Sequence, residues 1–363
     1  MALTPPSPDE IEVSLFGPGV GECVVIHGGG GRWLVVDSCK ESPSGPPAAL
    51  AYLAEIDVAP EHVRLVVATH WDDDHVRGLA EIHRVCTNAK FACSNALNRR
   101  DFPAFVLEQE SSRIRQGSGV DEFREILRDR RASGAGSPEW AQWNTDLFAD
   151  ADPMELDVWA LSPSPEAVRR GLSMLVERAL GLSPARRVLS VGPNEGSVAL
   201  WIRAGDVRLL LGGDLEEPGP ASRGWSAILG GTPQRWLGNG TASLFKVAHH
   251  GSANARHDDI WTNLLDEVPP ATAMLTPYRR GSNPPPTAEG RAWIHARTDS
   301  AHTTVETPTT RRRRRRPEVE RQLRAAGKRL FIPRGFGHVR ARTPANSVTW
   351  SIDYFGDAGP LPA

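Results

Sequence analysis

Residues 69–78 read THWDDDHVRG, which sets two histidines and three aspartates within the six positions from His70 to His75. Side chains of these types, packed so tightly, repel one another or lose solvation unless a cation gathers them. Two later stretches end in similar chemistry: LLLGGDLEE carries Asp214, and LFKVAHHGS carries His249 and His250. Each piece alone has a plain explanation: an acidic loop, a turn aspartate, a pair of surface histidines. The three together describe a metal site.

In an extended or turning loop alternate residues share a direction, so His70, Asp72 and Asp74 converge while His75 enters from the side. A shared carboxylate such as Asp214 bridges two cations about 3.5–4 Å apart. One hydroxide held between two such Lewis acids is deprotonated near neutral pH and aimed at an electrophile, which is hydrolytic chemistry.

The elements that must position these residues follow from the flanking pattern. Val/Ile-rich runs separated by glycine turns predict three short strands over 11–37. HGGGG there is a hairpin turn and not a phosphate loop, because no Gly-Lys-Ser/Thr follows it. PPAALAYLAEI has helical spacing, and VRLVVATH is a buried strand that delivers the acidic motif. Residues 95–150 are richer in charge, with helical spacing at Phe123, Ile126 and Leu127, and read as a helical insertion. MELDVWALSP returns to strand, and Ser164 with Pro165 starts a helix. GSVALWIRAGDVRLLLGGD is a hairpin ending at Asp214, and SLFKVA a strand ending at the tandem histidines. The Pro-, Thr- and Arg-rich stretch 279–316 is expected to be flexible. Pro317 opens a last helix, and two strands finish the chain. Runs of strands with helices between and after them imply packed sheets with helices outside.

The chain of 363 residues, 40% of them hydrophobic, supports a large core, and its net charge of −2 gives no global pull toward polyanions. Four cysteines without a CxxC or disulfide-framework spacing read as reduced thiols. The opening MALTPPSPDE lacks the charged and apolar regions expected of a signal peptide, and no apolar run approaches the roughly 20 residues of a membrane span. A soluble, cytoplasmic protein without membrane contact is the expectation.

THWDDDHVRG, LLLGGDLEE and LFKVAHHGS together resemble the metallo-β-lactamase fold superfamily. Its signature is His-x-His-x-Asp-His, a lone histidine, a bridging aspartate and a final histidine. Within it the sequence is most similar to the branch that includes the C-terminal hydrolase domain of competence DNA-uptake channels, through NEGSVAL before the Gly-Asp strand and LRAAGKRLFIPRGFGHVRA near the end. The resemblance covers most of residues 11–355. It implies a single α/β domain, an αββα sandwich of two face-to-face sheets with outer helices and the metal site at one edge. It also implies two divalent metal ions, zinc or manganese/iron, held by His70, Asp72, Asp74, His75, Asp214 and His249 or His250.

Two departures bear on the metals. Asp72 is a hard oxygen ligand where the superfamily has nitrogen, which tilts the site from zinc toward manganese or iron. No histidine stands between His83 and His249, so the middle histidine is missing, and water, Asn194 or another residue must complete a first site that is weak or empty.

Among the remaining residues, Lys246 either holds a phosphate or partners an acidic residue, and Ser252 either binds an anionic oxygen or serves a turn. Asn283 matches a substrate-loop asparagine of the branch, although Pro284–Pro286 stand where its next histidine belongs. His302 reads as a surface histidine, Trp71 as packed under its loop, and Asp73 as orienting a histidine ligand. Arg311–Arg316 is a basic run suited to nucleic acid or another polyanion.

The function expected is hydrolysis of a phosphodiester, as a phosphodiesterase or nuclease. Asp74 would help generate the nucleophile, and whichever of His249 and His250 is not a ligand, here assigned as His250, would protonate the leaving group. The alternatives are a lactone, thioester or lactam hydrolase on the same fold, and a catalytically weak scaffold or partner-binding module.

Overall fold

Three antiparallel strands, β1 (Glu10–Pro18), β2 (Cys23–Gly28) and β3 (Trp33–Val36), occupy the glycine-separated apolar runs near the start of the chain. From β3 the sheet continues in parallel through β4 (Val63–Ala68), β5 (Lys90–Ser94) and β6 (Glu139–Ala141). A second sheet begins with four antiparallel strands, β7 (Thr145–Asp150), β8 (Leu156–Ala160), β9 (Leu200–Ala204) and β10 (Val207–Leu211). It continues in parallel through β11 (Leu244–Lys246), β12 (Thr272–Leu275) and β13 (Ala301–Thr303). β14 (Phe336–Pro344) and β15 (Ser351–Gly356) return to the first sheet beside β1, and β16 (Gly359–Pro360) closes the second beside β13. The structure, a computed structural model, describes residues 3–19, 21–97, 118–170, 193–231, 240–279, 283–306 and 335–363.

Strand alternation builds three cores. Ile11, Val13 and Leu15 of β1, Val24 and Ile26 of β2, and Leu200 and Ile202 of β9 point into the space between the sheets. Their neighbours Phe16, Val25 and Trp201 point outward, where helices cover them. Both faces of each sheet are therefore apolar, the pattern of a sheet buried on both sides. Tyr52 and Leu53 of the helix Ala48–Glu55 cap one outer face; Ile260 and Trp261 of the helix Asp259–Asn263 cap the other. This is the two-sheet α/β sandwich that the pattern of elements implies.

Two expectations change. The region 95–150 contains the helix Ser118–Ser133, with Phe123 and Ile126 buried, but its end forms β6 and β7. The charge content there hides Leu147 and Phe148, which the inter-sheet core takes up. Within 279–316, residues 283–306 are not a loose segment: Thr287 caps the helix Ala288–His295 by accepting from the Gly290 amide at 3.2 Å, and β13 follows. Residues 307–316, with Arg311–Arg316, and the expected helix from Pro317 lie outside the described residues. Ser164 does start a helix, its Oγ accepting from the Ala167 amide at 3.2 Å. No helix among the described residues is long and apolar enough to cross a membrane.

Candidate metal centre

The candidate ligands come from the C-terminal ends of three parallel-paired strands, the edge where open sheets place their ligands. β4 leads into His70, Asp72, Asp74 and His75; β10 leads through Gly212 and Gly213 to Asp214; β11 leads to His249 and His250. One sheet contributes the first group and the other sheet the second, so the site lies on the seam between them.

Asp214, buried, is its centre. Its Oδ2 lies 3.4 Å from the Nε2 of His75, 3.5 Å from that of His250 and 3.9 Å from that of His249. Asp74 Oδ2 lies 3.8 Å from His250 Nε2, and Asp72 Oδ2 lies 3.9 Å from His70 Nε2. Asp74, His75 and His250 offer ligand atoms close enough to share one ion, as do Asp37, His70 and His75, and Glu22, His75 and Asp214.

The imidazole hydrogen bonds show how these residues suit a metal. His250 Nδ1 donates to the Thr276 carbonyl at 2.9 Å, and His75 Nδ1 donates to Asp37 Oδ2 at 2.7 Å. The Thr69 hydroxyl also donates to Asp37 at 2.7 Å, so His70 Nδ1 must donate to Thr69 Oγ1, 2.8 Å away. Each neutral ring is thereby fixed in the tautomer that leaves Nε2 as a lone pair facing the site. The Nε2 atoms of His70, His75 and His250 and the Oδ1 of Asp214 are buried without a well-formed hydrogen bond. Buried polar atoms left unpaired are costly, and divalent cations held among these residues would take up the imidazole lone pairs.

The electrostatics agree. Burial opposes a charge on His75, yet the carboxylates of Asp214 and Asp37 outweigh it and hold its pKa well above the ordinary value. Burial opposes ionisation of Asp214 as well, but the surrounding imidazoles, His75 first, hold it well below the ordinary range. The carboxylates around His75 thus favour positive charge at this place, as a cation site requires. Asp72 is raised to about 7, chiefly by burial and then by the charge of Asp74.

The tandem histidines separate. His250 is buried among Asp74, His75 and Asp214, whereas His249 is 20% exposed in its side chain. Its Nε2 accepts from the Asn194 amide at 3.2 Å, and its Nδ1 lies 3.4 Å from Glu216. Both adopt a left-handed backbone, φ 46° and 57°, which turns two successive rings inward where a strand would send them to opposite sides.

Other expected residues take different places. Lys246 is buried and paired with Glu22, and donates to the Gly213 carbonyl at 3.0 Å, so it is committed inside the protein and not free for a phosphate. Asp73 does not orient a histidine; its Oδ1 accepts from the Gly119 amide at 2.7 Å and its Oδ2 pairs with Arg77. Trp71 packs against the outer core. Ser252 is half-buried, and its amide donates to the His249 carbonyl at 2.9 Å. Asn283 is exposed. His302 is buried between Tyr354 and Ser300, not on the surface.

Sequence reasoning missed Asp37 and Glu22. Asp37 carried a signal, since it ends the apolar strand β3 as Asp214 follows β10. Glu22 carried none beyond its place in a glycine turn.

A two-sheet sandwich with histidines and aspartates gathered on its seam defines a metal-hydrolase class of fold. Residues 16–268 match the family model described as the Metallo-beta-lactamase superfamily, and the chain belongs to that superfamily. Among solved structures it is similar to the metallo-beta-lactamase fold protein YhfI from Bacillus subtilis, at 14% identity over 65% of this chain and 70% of that one, with a TM-score of 0.34. The Rm3 metallo-beta-lactamase is 15% identical over 69% of this chain and 78% of its own, with a TM-score of 0.35. MEM-A1, a subclass B3 metallo-beta-lactamase isolated from a soil metagenome library, is 13% identical over 69% and 80%, with a TM-score of 0.35. No curated protein matches the chain.

Proposed function

We propose that the chain is a divalent-metal-dependent phosphodiesterase, with nucleic acid as one class of substrate. The observation that carries the hydrolytic reading is the approach of three imidazole Nε2 atoms to Asp214 Oδ2 within 3.9 Å. Asp74, His75, His250 and Asp214 would hold one ion; His70, Asp72 and Asp214 would hold a second and weaker one. Asp72, an oxygen donor, favours manganese or iron over zinc in that second place. Ions held by these residues would supply a lowered pKa for a bound water and neutralisation of charge on phosphoryl oxygens.

The chain's own groups supply the rest. Asp74 orients the attacking water and accepts its proton at Oδ2. With His250 among the ligands, the acid role passes to His249, whose partly exposed side chain exchanges a proton with solvent and delivers it to the leaving oxygen. Arg311–Arg316 would contact the phosphates of a longer substrate. The phosphodiester itself is supported by the resemblance of the GGDLE and AHHGS stretches to the DNA-uptake branch. Four free, buried cysteines fit a reducing compartment such as the cytoplasm.

The test is metal analysis of the purified chain together with parallel assays on bis-p-nitrophenyl phosphate, a lactone, a thioester and a β-lactam. Phosphodiester turnover with Mn²⁺ is expected, and Asp214→Ala should lose both metal and turnover. Turnover confined to the other substrates would transfer the reading to the lactone, thioester or lactam class. Less than one metal ion per chain without any turnover would leave a partner-binding module.

A further inference from the structure

Glu22, just before β2 in the first sheet, and Lys246, the last residue of β11 in the second, form an ion pair across the seam, and both are buried. A buried ion pair is a weak source of stability, because desolvation consumes most of its attraction. Its surroundings supply a different reason for it. Lys246 Nζ donates at 3.0 Å to the carbonyl of Gly213 and lies 3.9 Å from Asp214 Oδ1. That same carbonyl accepts from the His249 amide at 3.0 Å, and Gly213 has φ +51°. The turn that aims Asp214 is therefore held by Lys246 and by the backbone of the tandem histidines together. On the other side, Glu22 Oε1 lies 4.0 Å from His75 Nδ1, and Oε2 lies 3.7 Å from His250 Nδ1. The Glu22 amide donates to the Asp74 carbonyl at 2.8 Å.

We propose that Glu22 and Lys246 are positioning residues, a neutral pair across the seam that fixes Asp214 and His250 relative to Asp74 and His75 in advance of the metal. This rests on the metal-centre reading above and not on the identity of the substrate. The pair's neutrality makes the idea testable. Removing both charges leaves the net charge of the site unchanged, so a remaining loss of metal binding is not an effect of net charge.

Glu22→Gln, Lys246→Met and the double variant are compared with wild type by thermal midpoint without metal and by Mn²⁺ affinity from chelator competition. Each single variant strands a buried charge and should lose both stability and affinity. The double variant should regain most of the midpoint yet bind Mn²⁺ roughly tenfold or more weakly than wild type. A double variant with wild-type Mn²⁺ affinity overturns the proposal and leaves the pair a structural tie. Should the single variants fail to fold, the double variant decides alone. Wild-type protein that binds Mn²⁺ but cleaves no phosphodiester would remove the proposed substrate and leave this inference intact.

Discussion

His75 turns its Nε2 toward Asp214 because Asp37 accepts the hydrogen bond of its Nδ1–H, at 2.7 Å, with both side chains buried. Asp37 also accepts from the Thr69 amide at 2.8 Å and the Thr69 hydroxyl at 2.7 Å. One carboxylate thus sets the tautomers of two candidate ligands, His75 directly and His70 through Thr69.

Asp37→Asn should therefore weaken metal binding by about 10–100-fold. Asparagine tolerates the left-handed backbone of this position, φ 61°, so the fold survives. Chelator competition on the folded variant is the measurement, and wild-type affinity would contradict the role given to Asp37.

The three adjacent aspartates should respond differently. Asp74→Ala and Asp72→Ala should reduce metal uptake. Asp73→Ala should leave uptake within about twofold while costing about 1–3 kcal/mol of stability, since it loses the Gly119 amide and the Arg77 pair. Denaturant unfolding beside metal analysis separates the two outcomes.

Gly21 is a close-approach position. It has φ +128°, and a Cβ there would collide with the Asp74 carbonyl oxygen. Gly21→Ala must push the Asp74 backbone out of place and is expected to lose metal affinity although it removes no ligand. A metal titration of the variant that matched wild type would show that the loop absorbs the clash.

The fold should lose stability in acid for a reason outside the metal site. Burial lowers His302 from the ordinary 6.5 to about 4, and burial is also the main cause that lowers His27 to about 4. Between those values the unfolded chain takes up protons that the folded chain does not, so stability falls as pH drops from about 6.5 to 4. The thermal midpoint, followed over that range in the presence of a chelator, should decline, and His302→Gln should flatten the decline.

The sandwich was legible because apolar alternation and strand-ending polar residues are local signals: β4, β10 and β11 all announce themselves. The candidate ligands that gather around Asp214 stand at the ends of those strands, where the same signal marks them. Other features depend on tertiary contacts. Glu22 reads as any turn glutamate until β11 brings Lys246 to it. Asp73 is indistinguishable from its neighbours until the helix Ser118–Ser133 presents the Gly119 amide. The division of His249 from His250 depends on two left-handed residues in succession, which no propensity of histidine predicts. β7 stayed hidden because its charged flanks outweigh Leu147 and Phe148 in any count of composition.

Because one layer supplies His70 to His75 and the other supplies Asp214 to His250, an ion gripped by both would act as a rivet. It would add an inorganic link to the Glu22–Lys246 tie at that rim, so the chain's resistance to shear would rise with its metal content.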